Sequence, residues 1–542
     1  MCSPDPPREM PDTPPPAATS GSLIKATGVI GGLTLVSRFA GFARDMLAAR
    51  ILGAGFAADA FLVAFRLPNL FRRLFAEGAF SAAYVPMFSR KLHGPDGRSG
   101  ARAFSEDVLS VFVPVLLLFT ALMEIAMPAI VWAMASGFQS VLGKFELTVE
   151  LTRLAFPYLL LISLVSLLTG VLNSMSKFAA SAAAPILFNL VLVGGILIGA
   201  ELRGPGGDDA VVARTYAIAI TVSGLIQFGW LMWAVKRAGL TLRLRWPRLT
   251  PEVRELGRII LPATFGAGIY QLSIFIDTFF ATSLPQGSMA YLNFADRLNQ
   301  LPLGIIGIAL GTAILPTLAR YIGTHDESRA ANVQATAIEL AMLLTLPAAV
   351  ALAVCAEPLV TAFYVGGKFT LSDAQTTARV LACLVAGLPA YVLLKVLTPA
   401  FYARKDTRTP VKTAAAVLGV NIALNFLLVG RFGIVGLALA GAAAAWINTI
   451  LLYAILVRRG HFHISAALWW RLTRQLGCAL AMGAGLFWLR GMTAELFAGS
   501  TGQRLLGIGA LVGGGMAVYF ALAWVSGAFD RTMLKQLRRR EA

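Results

Sequence analysis

Charge is scarce in this chain. Asp, Glu, Lys and Arg make up 14% of its 542 residues, about half the share of a soluble globular domain. Cysteine and histidine each occur only four times. Cys2, Cys355, Cys383 and Cys478 form no CxxC pair and three of them lie in apolar runs, so small buried hydrophobes are expected rather than a disulfide frame or zinc site. His93, His325, His461 and His463 fall in predicted loops, and His461-x-His463 lacks a third ligand. There is no Walker A loop, so the chain is not expected to hydrolyse nucleotide itself. Residues 1–22 carry seven prolines and no apolar run of the signal-peptide kind, which predicts a disordered tail.

What is abundant is apolar sequence. Hydrophobic residues reach 57% and the mean hydropathy is +0.72. These values exclude a soluble enzyme and predict a polytopic membrane protein. Stretches long enough for the hydrocarbon core lie at about 23–51, 57–89, 104–134, 148–174, 181–200, 212–235, 256–283, 288–319, 333–363, 376–402, 410–430, 433–457, 469–490 and 503–527. The net charge of +18 distributes accordingly. With the amino terminus inside, alternate loops hold Arg90, Lys91, Arg98 and Arg102, then Lys177, then the run from Lys236 to Arg258, then Arg404, Lys405 and Arg408, then Arg458, Arg459, Arg471 and Arg474, and finally the tail from Arg531 to Arg540. The intervening loops hold few basic residues, as the positive-inside rule requires. The 236–258 cluster therefore reads as a topology signal with some attraction to anionic lipid, not as a nucleic-acid site.

The chain also resembles itself. Val63–Arg90 lies on Asn293–Arg320 without a gap, pairing Asn69 with Asn299, Pro86 with Pro316 and Arg90 with Arg320. At an offset of 232, Pro157 falls on Pro389 and Asn189 on Asn421. Six spans separate the copies, which predicts a parallel repeat with a substrate site between two lobes near the midplane. The expected architecture is an all-α polytopic membrane protein of 14 transmembrane helices with both termini cytoplasmic. Residues 1–22 form a tail, 23–237 an N-terminal lobe of six helices and 238–460 a C-terminal lobe of six. Residues 461–542 add helices 13 and 14 and a basic tail.

Span 1 contains Arg38, Arg44 and Asp45; span 2 contains Asp59, Arg66, Arg72, Arg73 and Glu77; span 8 contains Asp296 and Arg297. Facing lipid, these ten charges would cost roughly 25–35 kcal/mol on the most lenient insertion scale. They must line a wet cavity or pair within the bundle. Arg38 and Asp45 are seven apart and share a helical face; Asp59, Arg66, Arg73 and Glu77 form one stripe, with Arg72 a position off it, so periodicity does not choose between Arg72 and Arg73. Pro68, Gly78 and Pro86 are expected to bend span 2. Arginine's planar fork suits phosphate or pyrophosphate. The other reading is internal ion pairing, Asp59–Arg66 above all. A weaker cation site is suggested by Asp277, the lone acid of span 7, with Asn421 and Asn425 at i, i+4 in span 11: their oxygens suit Na⁺ or a proton, or simply hydrogen-bond helices together.

The run Ser37-Arg38-Phe39-Ala40-Gly41-Phe42-Ala43-Arg44-Asp45, followed by Asp59-Ala60-Phe61 and by Leu67-Pro68-Asn69-Leu70-Phe71-Arg72-Arg73-Leu74-Phe75-Ala76-Glu77-Gly78, closely resembles the MviN/MurJ family of bacterial lipid II flippases. Phe156-Pro157-Tyr158, Ala295-Asp296-Arg297-Leu298 and Lys395–Arg404 extend the likeness. The resemblance implies a transporter, not an enzyme, in the bacterial inner membrane. It would move undecaprenyl-pyrophosphoryl-disaccharide-pentapeptide to the outer leaflet for peptidoglycan synthesis. It matches the family's substrate-binding arginines to Arg38, Arg44, Arg72 and Arg297, and its acidic positions to Asp45, Asp59 and Glu77; Arg73 and Asp296 join these as gating or ion-pair residues. Helices 13 and 14 would border a groove for the polyprenyl tail. Asp277, Asn421 and Asn425 would correspond to part of a sodium site, so Na⁺ or H⁺ is the expected coupling ion and no other cofactor is expected. Lipid II, membrane lipids and the cell-wall synthesis machinery are the implied partners. Release would follow when Asp45 and Glu77 reclaim the arginines. The rivals are a flippase for another polyprenyl-linked glycan, a drug/cation antiporter, and a scaffold whose charges are all mutually paired.

Overall fold

Inside a bilayer each backbone N–H and C=O must find its partner within the chain, and a helix does this locally. A computed structural model describes residues 20–73 and 79–528, and these are helical nearly throughout. In order they form α1 (Ser20–Leu52), α2 (Phe56–Phe71), α3 (Ala79–Leu92), α4 (Gly97–Ala135), α5 (Lys144–Ala155), α6 (Tyr158–Ser174), α7 (Phe178–Arg203) and α8 (Asp209–Arg237). After an extended segment come α9 (Pro251–Thr282), α10 (Ser288–Pro302), α11 (Ile308–Gly323), α12 (Glu327–Val354), α13 (Ala356–Tyr364), α14 (Leu371–Val385), α15 (Leu388–Tyr402) and α16 (Arg408–Arg458). The chain closes with α17 (Ala466–Met492), α18 (Ala494–Ala498) and α19 (Thr501–Ser526). Among the described residues there is no β-strand, only an isolated bridge between Gly366 and Phe369.

Eight helical stretches among the described residues are long and apolar enough to cross a membrane. One of them, Arg408–Arg458, doubles back: Gly433 takes φ +55, ψ −132, and a Cβ on Gly436 would stand 2.3 Å from the carbonyl oxygen of Leu428. That reversal falls where the sequence separates spans 410–430 and 433–457. The predicted spans outside the eight include those that carry charge or divide into shorter helices. Residues 1–19, Glu77, Gly78 and the basic tail lie outside the described residues.

Interruptions recur at the repeat interval. Gly97 and Glu327 begin helices 230 positions apart, and so do Phe178 and Arg408. The predicted span 148–174 breaks between α5 and α6 at Phe156-Pro157, and 376–402 breaks between α14 and α15 at Ala386-Gly387. After α2 the helix loosens into a π-turn at Arg72-Arg73; after α10 it does so at Leu303–Gly307. Of the three positions expected to bend span 2, Pro68 sits buried inside α2, Pro86 lies inside α3 and Gly78 falls outside the described residues.

Apolar packing is divided. One core lies within residues 52–220 and a second within 80–256. A large third core runs from Ala290 to Leu468 and takes in Ala49 of α1. A fourth joins the two repeats through Val63, Leu67, Phe280 and Leu437. A fifth packs α17 and α19 on α12 and α13. There Gly514 and Gly515 admit Leu489 and Leu486 closely. Cys355 and Cys478 are buried, as expected for small hydrophobes, whereas Cys383 is only half-buried.

Candidate functional site

The intramembrane charges gather in three places. The first is around Asp45 on α1. Arg44 donates to Asp45 Oδ1 through Nε (3.1 Å) and Nη2 (2.6 Å), and through Nη1 to Asn189 Oδ1 of α7 (3.1 Å). On the other side Arg297 of α10 ion-pairs with Asp45 Oδ2 at 2.7 Å. Arg44 and Asp45 are buried, whereas the Arg297 side chain remains 37% exposed. Asp45 thus bridges an arginine from each repeat. The guanidinium of Arg38 reaches the π-turn, 2.9 Å from where a Cβ on Gly304 would stand. Lys395 of α15 lies on the same turn, beside Gly307 and Gly311. Among the described residues neither Arg38 nor Lys395 has an ion-pair partner. Arg72 donates to Asn69 Oδ1 (2.8 and 3.1 Å), while Arg73 makes no ion pair among the described residues. Asp296 accepts from Gln300 within its own helix.

Lys395 is not among the site residues expected from sequence, although a lysine inside the apolar span 376–402 carries the same signal as the arginines.

The second cluster corrects an expectation. Asp59 does not pair with Arg66. Its Oδ2 accepts from Lys144 Nζ at 2.9 Å and from the Gly287 N–H at 2.7 Å, and its Oδ1 accepts the Ala290 N–H at 3.1 Å. Both side chains of the pair are 2% exposed. Asp59 therefore caps the start of α10 in the other repeat, where unpaired amides and the helix dipole favour a carboxylate. Arg66 donates instead to Thr278 and lies in the field of Asp277 and Asp296. Spacing along α2 gives a shared face but not a partner, and Lys144 lies in a predicted loop where the sequence offers no sign of a buried charge. Around Asp59 the repeats also touch through backbone. The Lys368 N–H donates to the Arg50 carbonyl at 2.8 Å, and Gly367 (φ +57) packs so closely that a Cβ would stand 2.1 Å from that oxygen. Lys368 and Arg203 share Asp209 at the rim. At the opposite end Lys91 pairs with Glu252 at 3.0 Å and Arg90 with Glu255 at 3.8 Å.

The third cluster joins α9 to α16. The Nδ2 groups of Asn421 and Asn425 point at Asp277 Oδ1, at 3.2 and 3.4 Å. The Oδ1 atoms of both asparagines are buried without a partner. Asp277 follows Asp45 by 232 positions, the interval that separates Asn421 from Asn189. Where the first copy has Arg44 beside the aspartate, the second has Ile276. Two orphaned carbonyl oxygens near a carboxylate are a donor set suited to a hard cation.

A family model described as lipid II flippase MurJ matches residues 48–507. A probable lipid II flippase MurJ from Rhizobium tropici is 40% identical over 523 residues, covering 96% of this chain and 97% of its own. Lipid II flippase MurJ from Burkholderia cenocepacia is 34% identical over 518 residues, covering 93% and 98%. Among solved structures, a lipid II flippase MurJ in an inward closed conformation superposes with a TM-score of 0.73 at 22% identity, covering 92% of this chain and 98% of that one. An inward-facing multidrug resistance MATE transporter of the MOP superfamily gives 0.63 at 15% identity, covering 80% and 97%. The two structural likenesses concern fold, while the family model and the sequence relatives settle descent: the chain belongs to the MurJ lipid II flippase family.

Proposed function

We infer that this chain is a lipid II flippase, a multi-pass bacterial membrane transporter and not an enzyme. It carries the polyprenyl-pyrophosphate-linked disaccharide-pentapeptide across the bilayer for peptidoglycan synthesis. The observation that carries the site assignment is the pair Arg38 and Lys395, which have no ion-pair partner among the described residues, on one π-turn next to the Arg44–Asp45–Arg297 bridge. Both are exposed although they stand inside apolar spans, and cations left open in this way mark a place for an anion. Arg38, Arg44, Arg72 and Arg297, with Lys395 added, receive the pyrophosphate. Asp45 gives up Arg297 on binding and takes it back on release; Glu77, Arg73 and Asp296 adjust the same balance. Asp59 acts at a distance from the ligand, holding the lobes together.

The architecture proposed is 14 spans with both ends cytoplasmic in the inner membrane: lobes 23–237 and 238–460, helices 13 and 14 with a basic tail in 461–542, and a leading tail of 1–22. The recurring helix starts and paired interruptions support the two lobes. On this topology the Asp59 cluster closes the periplasmic end and the arginine site communicates with the cytoplasm. Asp277, Asn421 and Asn425 take Na⁺ in the second lobe, or a proton on Asp277, where the first lobe has its own arginine. Cell-wall synthesis enzymes are the proposed partners after release.

The test is rescue of a bacterium depleted of its own lipid II flippase, with a periplasmic probe for newly exposed lipid II. Wild type restores exposure, and Arg44→Ala at equal protein level does not. Failure of well-expressed wild type would reject the substrate; rescue by both would reject the role of Arg44.

A further inference from the structure

The segment Leu240–Thr250, which joins α8 to α9, has no helix, yet it is fastened along its length. Glu106 of α4, with no exposed surface, accepts the Arg243 N–H at 3.1 Å and pairs with Arg245 (2.6 Å) and Arg102 (2.8 Å). The Arg248 N–H donates to Ser110 Oγ at 3.3 Å. Held in this way, the segment turns apolar side chains outward: Trp246 is 87% exposed, with Leu244 and Leu249 about as open as Leu118 on the lipid-facing side of α4. A groove of about 420 Å³ opens between them. Its floor is Ser110, Val113, Pro114 and Leu117 of α4; its lip is Leu244, Arg245, Trp246 and Pro247.

The charge on the Leu240–Thr250 segment has one sign. No acid occurs from Leu240 to Thr250, and Arg243, Arg245 and Arg248 are exposed. Arg98 reaches the same region beside Gly239. Glu106 is already shared by two arginines, Asp107 is its only acidic neighbour along α4, and Glu252 and Glu255 are engaged by Lys91 and Arg90. An indole standing almost free next to a dry helix face belongs at a lipid–water boundary, where its ring lies among headgroups. We propose that α4 and the Leu240–Thr250 segment form a binding site for an anionic phospholipid. Its phosphate is held by Arg243 and Arg248, and an acyl chain lies along Val113, Pro114 and Leu117 under Trp246. The site is separate from the arginine cluster of α1 and α10, and it does not depend on what those arginines carry. Because the segment is the sole covalent link between the two repeats, the bound lipid fixes that link to the membrane surface.

Full-length protein is placed in phosphatidylcholine nanodiscs containing a rising fraction of brominated phosphatidylglycerol or brominated phosphatidylcholine. Bromine quenches indole on contact, and subtraction of a Trp246→Phe variant isolates the Trp246 signal from the other tryptophans. The expected result is quenching of that signal at a much lower fraction of the brominated anionic lipid than of the zwitterionic one. Arg243→Gln with Arg248→Gln leaves the Glu106–Arg245 pair in place, so the segment stays seated. It should move the anionic curve toward the zwitterionic one by about fivefold for each arginine removed. Equal quenching by both lipids, no Trp246-specific quenching, or an anionic curve unmoved by the double substitution would each overturn the proposal.

Discussion

At the scale of single residues, burial decides what an ion pair is worth. Asp59 and Lys144 are almost wholly enclosed, so removing one partner strands a charge that water cannot reach. Asp59→Ala is expected to lower stability by about 3–5 kcal/mol. Glu150→Ala breaks the half-exposed Glu150–Arg214 pair and should cost less than about 1 kcal/mol. Thermal unfolding of the two variants in one detergent checks the contrast. In the arginine cluster, Lys395→Gln should reduce lipid II exposure in depleted cells while Lys395→Arg retains it; equal loss in both would assign Lys395 to packing. Legibility followed the same division. A lone acid and an i, i+4 asparagine pair were enough to bring Asp277, Asn421 and Asn425 together on paper. The partner of Asp59 was not readable, because Lys144 lies 85 positions away and only tertiary packing selects it over Arg66 on the same helix.

The elements show why the breaks were only half visible. Gly433 turns a 51-residue helical run back on itself with a backbone conformation reserved for glycine. Gly433→Ala should therefore cost about 1–3 kcal/mol, whereas Gly430→Ala, three positions earlier with open space around its Cβ, should be nearly neutral. The sequence pattern located this turn, since two apolar stretches met there. In span 2 the regular α-helix ends at Phe71, ahead of Gly78, one of three positions expected to bend it, while Pro68 and Pro86 lie inside α2 and α3. In the loop between α16 and α17, burial and the nearby Arg404 hold the His461 imidazole below its usual pKa. The fold thus favours the neutral ring, while the unfolded chain takes up a proton as the pH falls through about 6.5. Stability should decline over that window, and His461→Gln should remove part of the decline; identical pH profiles of the melting temperature would contradict this.

For the molecule as a whole, the repeat was the most informative feature of the sequence, since it implied two lobes and a site between them. The contacts that join the lobes were not readable, because each pairs side chains or amides far apart in the sequence, as Asp45 with Arg297 and Arg50 with Lys368, and only tertiary packing selects them. Alternating access requires those contacts to part. With the native cysteines replaced, Ala54→Cys together with Gly287→Cys places two thiols across the Asp59 end, where a Cβ on Gly287 would stand 2.8 Å from the Ala54 carbonyl oxygen. A short bifunctional crosslinker should then stop lipid II exposure, and a cleavable version should restore it on reduction. Continued exposure in the crosslinked protein would mean that this end never opens.

The composition of that closure has an environmental consequence. On the proposed topology this closure faces the periplasm, which exchanges small ions with the surrounding medium, so that its ionic strength follows rain, host fluid or brine. Screening at about 10 Å in 0.1 M salt, and about 3 Å in 1 M, weakens exposed ion pairs such as Lys368–Asp209 at the rim. It scarcely touches an amide–carbonyl contact or a carboxylate enclosed with its ammonium and two N–H donors. A latch built mainly from the second kind keeps the same bias between closed and open when the medium changes, so wall synthesis need not slow each time the cell meets a different salinity.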